Sequence, residues 1–254
     1  MRSNFFVTVP YWNSRWIEQC LDSIRLQTYP HFRVVIVDDA STDGSYDKTL
    51  AWLKKADDNR FSIIRNKVNV GSTTGGYIKA IDSAKLDGED IIVTVDGDDW
   101  LSDNGVFEHL DNVYNSKKAL MTYGQFMPVG GEYSQPCAKV PDTATYRKSG
   151  LWQGRSYASH LRTFKKKVFD KINRKDFIDP HDKTKYIQAG SDMPLIFGLL
   201  EICGNERSVF IDRVMYIYNN HNRLSIMYKN PKVQKSNAKV ISRRPVYERY
   251  EFKD

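Results

Sequence analysis

Residues 90–99 read Asp90-Ile91-Ile92-Val93-Thr94-Val95-Asp96-Gly97-Asp98-Asp99. An apolar, β-rich run stops abruptly on an acidic turn, the pattern of a buried strand feeding a polar loop. The pattern recurs upstream. Residues 32–37 (FRVVIV) run into Asp38-Asp39-Ala40-Ser41-Thr42-Asp43-Gly44-Ser45, residues 4–10 (NFFVTVP) form a β-rich run ended by proline, and residues 61–64 (FSII) supply another. Helical spacing lies between them. Ile17, Cys20, Leu21 and Ile24 follow a capping Ser14, Leu50, Trp52 and Leu53 mark a second helix, residues 77–86 a third, and Ser102 or Asp103 opens a fourth that runs to Tyr114. Four β–α units in about the first 115 residues predict an α/β fold with a mostly parallel sheet covered by helices on both faces. Ligands in such sheets bind beyond the carboxyl ends of the strands. The polar loops at 38–45, 66–71 and 96–99 therefore converge on one edge.

Downstream the pattern loosens. Residues 120–127 read as a strand, 128–150 as a Gly/Pro/Ser/Thr-rich excursion, 156–164 as a strand before a basic helix at 165–172, 191–203 as a helix, and 209–218 as one or two short strands. From about residue 228 the chain is polar and basic with little periodicity.

The 254 residues are 41% apolar and 27% charged, a globular composition long enough to bury a core without disulfides or structural metal. Cys20, Cys137 and Cys203 are odd in number and widely spaced, which points to reduced thiols. No apolar run reaches membrane-spanning length, and the first residues lack a signal-peptide pattern. The expectation is a cytoplasmic protein without a membrane span, with peripheral association left open. The net charge of +7 suits a phosphate-bearing ligand. No nucleic-acid motif accompanies it, so nucleic acid is not expected as a partner.

Chemistry concentrates at Asp96, Asp98 and Asp99. Carboxylates this close repel one another, and a hard divalent cation is the usual compensation. The bland alternative is a solvated acidic turn. An EF-hand is disfavoured because its glycine and distal glutamate are misplaced. Asp38 and Asp39 end a second strand. They read either as ligands of a base or ribose or as part of an Asx-type turn, with Asp43 capping the next helix.

Together these stretches resemble glycosyltransferase family 2 and its GT-A fold. The resemblance rests on Val9-Pro10-Tyr11-Trp12-Asn13, residues 21–27 (LDSIRLQ), residues 37–45, Asn69-Val70-Gly71 and Asp96-Gly97-Asp98-Asp99, in the family's order and spacing. It implies a nucleotide-diphosphate sugar as donor, with UDP first among the bases, and Mn²⁺ or Mg²⁺ as cofactor. It implies that Val9, Pro10 and Asp39 line the nucleoside pocket, with Tyr11, Asp38, Asn69, Gly71 and Gly97 beside them. Asp96 would lie near the ribose or sugar, Asp98 on the metal, and Asp99 behind it or on the sugar. The family's arginine after the Asn69-Val70-Gly71 motif is missing, because the chain has Gly75-Gly76-Tyr77 there. Lys79 is one candidate to replace its charge.

Asp192 follows Gly190-Ser191 and opens an apolar helical run. Taken alone it complements a helix dipole. The resemblance makes it the general base of an inverting transfer. His221, in Tyr218-Asn219-Asn220-His221, resembles a family position that contacts metal or diphosphate. His160 and Trp152 are placed on the acceptor side, where a glycan, glycoprotein or lipid-linked acceptor is expected. The resemblance divides the chain into a single domain at 1–227 and a basic C-terminal tail or arm at 228–254. Within the domain, 1–115 is the nucleotide-sugar half and 116–227 the acceptor half. Two other classes compete: a non-catalytic nucleotide-sugar or glycan-binding module, and a nucleotidyltransferase. The latter usually carries a glycine-rich basic loop after the first strand, where this chain has Tyr11-Trp12-Asn13-Ser14-Arg15.

Overall fold

Strand β1 (Phe5–Tyr11) is buried along its whole length and sits between two parallel neighbours, β2 (Phe32–Asp38) and β4 (Ile91–Thr94). Burial on both faces is what a central parallel strand requires, and it explains why these runs are continuously apolar rather than alternating. The computed structural model describes residues 2–131, 136–150, 157–222, 224 and 231–251. Among them, eight strands form one sheet in the order β3-β2-β1-β4-β7-β6-β8-β5. The remaining strands are β3 (Phe61–Arg65), β5 (Trp100–Leu101), β6 (Met121–Pro128), β7 (Arg162–Lys165) and β8 (Ser208–Tyr218). Only β7 and β5 run against the rest, as their antiparallel pairings with β4, β6 and β8 require. The mostly parallel sheet predicted from the alternating pattern is thus present.

Helices cover both faces. On one lie α1 (Ile17–Arg25), α2 (Ser45–Ala56) and α4 (Val106–Lys117), packed through Ile17, Leu21, Trp52, Phe107 and Leu110 against Val7, Val9, Val34 and Val93. On the other lie α3 (Thr73–Asp82), the short α5 (Tyr146–Ser149) and α6 (Lys166–Phe169), α7 (Met193–Arg207) and α8 (Pro231–Ser242). Their Tyr77, Ile78, Phe169, Leu195, Leu199 and Ile241 meet Phe6, Val37, Ile92 and Phe164. Each fully buried aliphatic or aromatic side chain in these layers contributes roughly 1.5–3 kcal/mol.

Several boundaries differ from the sequence expectation. Helix α3 begins at Thr73, not Tyr77, because the Ser72 hydroxyl caps it by accepting from the Gly75 N–H at 3.2 Å. Gly75 and Gly76 are therefore inside the helix. Gly76 is there for space: a β-carbon on it would lie 2.4 Å from the Pro10 Cβ. Helix α4 starts at Val106, because Trp100 and Leu101 pair with Ile217 and Tyr216 before the chain turns. The strand expected over 156–164 is confined to Arg162–Lys165, and 208–218 is a single long strand. No helix is expected after residue 228, yet α8 packs there with Asn237, Ala238 and Ile241 buried. Farther on, the buried Arg147 and Glu201 pair through two 2.7 Å contacts. Glu201 also accepts the Tyr247 N–H at 2.9 Å, and Arg147 donates to the Pro245 carbonyl at 3.1 Å, fastening this segment to the second core.

Candidate active site

The carboxyl ends of β1, β2 and β4 open into a cavity of about 440 Å³, lined by all three predicted loops. The acidic loop is held from behind. Gly97 donates to the Pro10 carbonyl at 3.0 Å and packs so tightly that a β-carbon would come within 2.6 Å of the Tyr11 Cβ. That contact brings Asp96, Asp98 and Asp99 to the cavity wall. Asp99 is nearly sealed. One of its oxygens accepts from the Tyr216 hydroxyl and the other from the Asn219 N–H, both at 2.7 Å. The same Tyr216 hydroxyl accepts from the Asp96 N–H at 3.1 Å. Asp98 accepts from the Asn222 amide at 2.7 Å, and Asp96 from the Tyr77 hydroxyl.

This burial has an electrostatic consequence. Desolvation and the neighbouring Asp98 charge push the Asp96 carboxyl up to about 7. Burial raises Asp98, and burial with the Asp98 and Asp96 charges raises Asp99 well above the usual carboxylate range. No ion pair among the described residues reaches the cluster, and Arg162 only partly offsets the rise of Asp96. Among the described residues, no three carboxylate, imidazole or thiol groups form a closed metal cage. Mg²⁺ and Mn²⁺ do not need one, since they take one or two carboxylates and complete their shell with phosphate and water. Asp98 and Asp96, hard oxygen donors short of compensation at a cavity wall, fit such an ion.

Asp39 organises the second loop. Its carboxylate accepts from the Asn66 amide at 2.6 Å, the Val70 N–H at 2.9 Å and the Gly71 N–H at 2.8 Å. Asn69 reaches back to the Asp39 carbonyl at 3.0 Å. Asp39, Asn69 and Gly71 line the cavity with Pro10 and Tyr11. Gly44, not Asp43, is the N-cap residue of α2; Asp43 lies one position before it and accepts the Ser45 N–H at 3.0 Å.

Five predicted residues lie elsewhere. Gly97 packs behind the acidic loop against Pro10 and Tyr11 and does not line the cavity. Val9 is fully buried in the first core, one residue short of the strand end where Pro10 and Tyr11 reach the cavity. Asp38 is also fully buried. It accepts the Ser41 N–H at 3.3 Å and pairs with Arg65 at 3.2 Å, which makes it a turn-former behind the loop. Lys79 donates to the Asn66 amide oxygen and does not line the cavity, so it does not stand in for the missing arginine. His221 is exposed. The Asn219 side chain accepts its N–H at 3.1 Å in a tight turn that faces Asn222, not His221, toward Asp98. Trp152 lies outside the described residues.

The opposite wall carries Asp192 and His160. Asp192 occupies the N-cap position of α7 but makes no side-chain capping bond. Its carboxylate instead lies 3.2 Å from the Arg162 guanidinium. His160 stacks on Tyr216 with ring centroids 4.6 Å apart, and burial together with Arg162 depresses its pKa, leaving it neutral. Arg162, Tyr77 and Asn222 are site residues that the sequence reading did not single out. None of the three carried a local sequence signal: Arg162 falls inside the strand expected over 156–164, and only the fold puts it at the first position of β7.

The family model for glycosyl transferase family 2 matches residues 6–173, more than half of the 254 residues. The chain belongs to glycosyl transferase family 2. Among family relatives, glycosyltransferase GlyG of Streptococcus pneumoniae is 25% identical over 181 residues, covering 66% of this chain and 58% of GlyG. The TarS 1–349 structure from S. aureus in complex with UDP-GlcNAc superposes with a TM-score of 0.59 at 18% identity, covering 85% of this chain and 58% of that one. The mannosyltransferase PcManGT of Pyrobaculum calidifontis, in complex with GDP-Man and Mn²⁺, gives 0.58 at 18% identity, over 86% of this chain and 57% of that one. The chain thus spans a little over half the length of these relatives. The likeness shows that this family 2 chain has their GT-A fold.

Proposed function

We propose that the protein is an inverting glycosyltransferase that moves a sugar from a nucleotide-diphosphate sugar, UDP first among the candidates, to a hydroxyl of a glycan, glycoprotein or lipid-linked acceptor. One observation carries the reading: the acidic loop and the Asp192 carboxylate face the same cavity at the strand ends. The TarS and PcManGT complexes support it, because nucleotide sugars bind that fold.

In this reading the Pro10, Asp39 and Gly71 wall receives the nucleoside. Asp98, with Asp96, would hold Mn²⁺ or Mg²⁺, which supplies positive charge to the departing diphosphate. Asp192 takes the proton from the acceptor hydroxyl as its oxygen bonds to the anomeric carbon. The bond from that carbon to the diphosphate oxygen breaks in the same displacement, and the nucleoside diphosphate leaves. With one base and no covalent nucleophile, the configuration inverts. Residues 1–115 carry most of the donor side and 116–227 the acceptor side, the latter also holding the acidic loop through Tyr216, Asn219 and Asn222. From the proposed C-terminal arm, Gln234 of α8 lines the cavity. Among the described residues no helix is long and apolar enough to cross a membrane, and all three cysteines are buried free thiols, which supports a cytoplasmic setting.

Calorimetric titration of UDP, GDP and dTDP, each with Mn²⁺ and with EDTA, tests this reading beside Asp98→Ala. Binding of one nucleotide that collapses with EDTA and in Asp98→Ala is the expected result. A well-folded protein that binds none of them would sink the reading and leave a non-catalytic module.

A further inference from the structure

The cavity is short of positive charge before any ligand enters. Asp39, Asp96, Asp98, Asp99 and Asp192 line it, and among the described residues Arg162 is the one lysine or arginine that does. A nucleotide diphosphate adds further negative charge to this wall, more than one divalent ion offsets. The nearby cations are committed elsewhere. Lys79 is on Asn66 and Arg65 on Asp38.

Arg162 is placed to meet this charge. It opens β7, where it pairs in register with Thr94, two residues before Asp96. The guanidinium therefore emerges beside the acidic loop. Its Nε donates to the Ala158 carbonyl at 2.8 Å, which aims the fork, and its Nη1 lies 3.2 Å from the Asp192 carboxylate. The side chain is only 13% exposed, so its charge is weakly screened by solvent. A guanidinium has five N–H donors in a fixed plane, and two parallel bonds to phosphate oxygens match that plane.

Building on the glycosyl-transfer reading, we propose that Arg162 binds the donor's diphosphate and leaves Asp192 to do so. It would supply from β7 the cationic contact that the loop after Gly71 lacks. In the free protein the guanidinium clasps the Asp192 carboxylate. When the diphosphate arrives, the fork turns to the phosphate oxygens and Asp192 is released to accept the acceptor's proton.

The test is calorimetry in Mn²⁺, using the nucleoside diphosphate that the wild type binds best and the matching free nucleoside. Arg162→Gln is expected to weaken the diphosphate by at least about tenfold and leave the nucleoside unchanged. Arg162→Lys, which keeps the charge without the fork, should lose less. It carries the test if the glutamine variant melts early. Asp192→Asn is expected to tighten the diphosphate, because it removes the competing anion. A merely structural ion pair would weaken binding from either side. Undiminished diphosphate binding in the Arg162 variants, or equal losses for diphosphate and nucleoside, would overturn the proposal. Absence of diphosphate binding by the wild type itself would instead overturn the glycosyl-transfer reading.

Discussion

A β-carbon placed on Gly76 would lie 2.4 Å from the Pro10 Cβ. Real β-carbons do not approach so closely, so Gly76→Ala must push α3 away from β1. We expect a loss of about 1–3 kcal/mol, typical of overpacking, measured by urea unfolding with an unchanged m-value. Nucleotide affinity should fall too, since Ser72 and Thr73 at the start of this helix line the cavity. Wild-type stability in the alanine variant would show that the helix has room to move.

Asp39 uses both carboxylate oxygens to hold the 66–71 loop. Asp39→Asn replaces one acceptor with an NH₂ that faces a backbone N–H. The expected result is faster hydrogen exchange at Val70 and Gly71 and a loss of nucleotide affinity of roughly tenfold. Unchanged exchange would show that the loop holds itself.

Tyr216 bridges the Asp99 carboxylate and the Asp96 backbone. Tyr216→Phe keeps the ring and its stacking on His160 but removes the hydroxyl. Leaving two buried groups short of a partner costs about 1–3 kcal/mol each. Chemical denaturation should register a loss of that size, and a neutral substitution would mean that water replaces the hydroxyl.

Glu201→Gln takes the countercharge of the carboxylate away from the buried Arg147 guanidinium. The change should cost about 3–5 kcal/mol and loosen the segment around Tyr247, which limited proteolysis would detect. A variant that melts like the wild type would contradict this role.

Asp58 provides a pH test of stability. The Arg60 side chain holds its carboxyl below the usual value of 3.8. A folded pKa below the unfolded one gives stability that is present above the unfolded value and lost as the pH falls through the folded one. Asp58→Asn should therefore lower Tm at pH 7, and the gap should close as the pH drops below about 4. A gap independent of pH would assign the loss to packing.

The alternating strands and helices, the converging loops and the acidic turn were legible because each is written in a few adjacent residues. Errors at the site come mostly from neighbours. The sequence groups Val9 with Pro10 and Asp38 with Asp39, and of these the cavity takes Pro10 and Asp39; it points to His221, and the cavity takes Asn222. Motif spacing locates a strand end or a turn, but which neighbour faces inward depends on pleat and turn geometry. Other misses depend on distant pairing. Trp100 and Leu101 become a strand only because β8 lies beside them, and α8 gains its apolar partners from α7 and the second core. Asp192 lies at the helix start the sequence indicates, and only the fold shows its carboxylate turned to Arg162.

The Asn219 N–H that completes Asp99 comes from 120 residues later in the chain. Asn222, which holds Asp98, is 124 residues away. A ribosome adding roughly 5–20 residues per second needs about 6–24 s to make that stretch. For that interval the nascent acidic loop has its strands but not the groups that orient its carboxylates. The second half of the chain therefore acts as the clock of the first: the acidic loop is complete only when the residues that follow the last strand have been made.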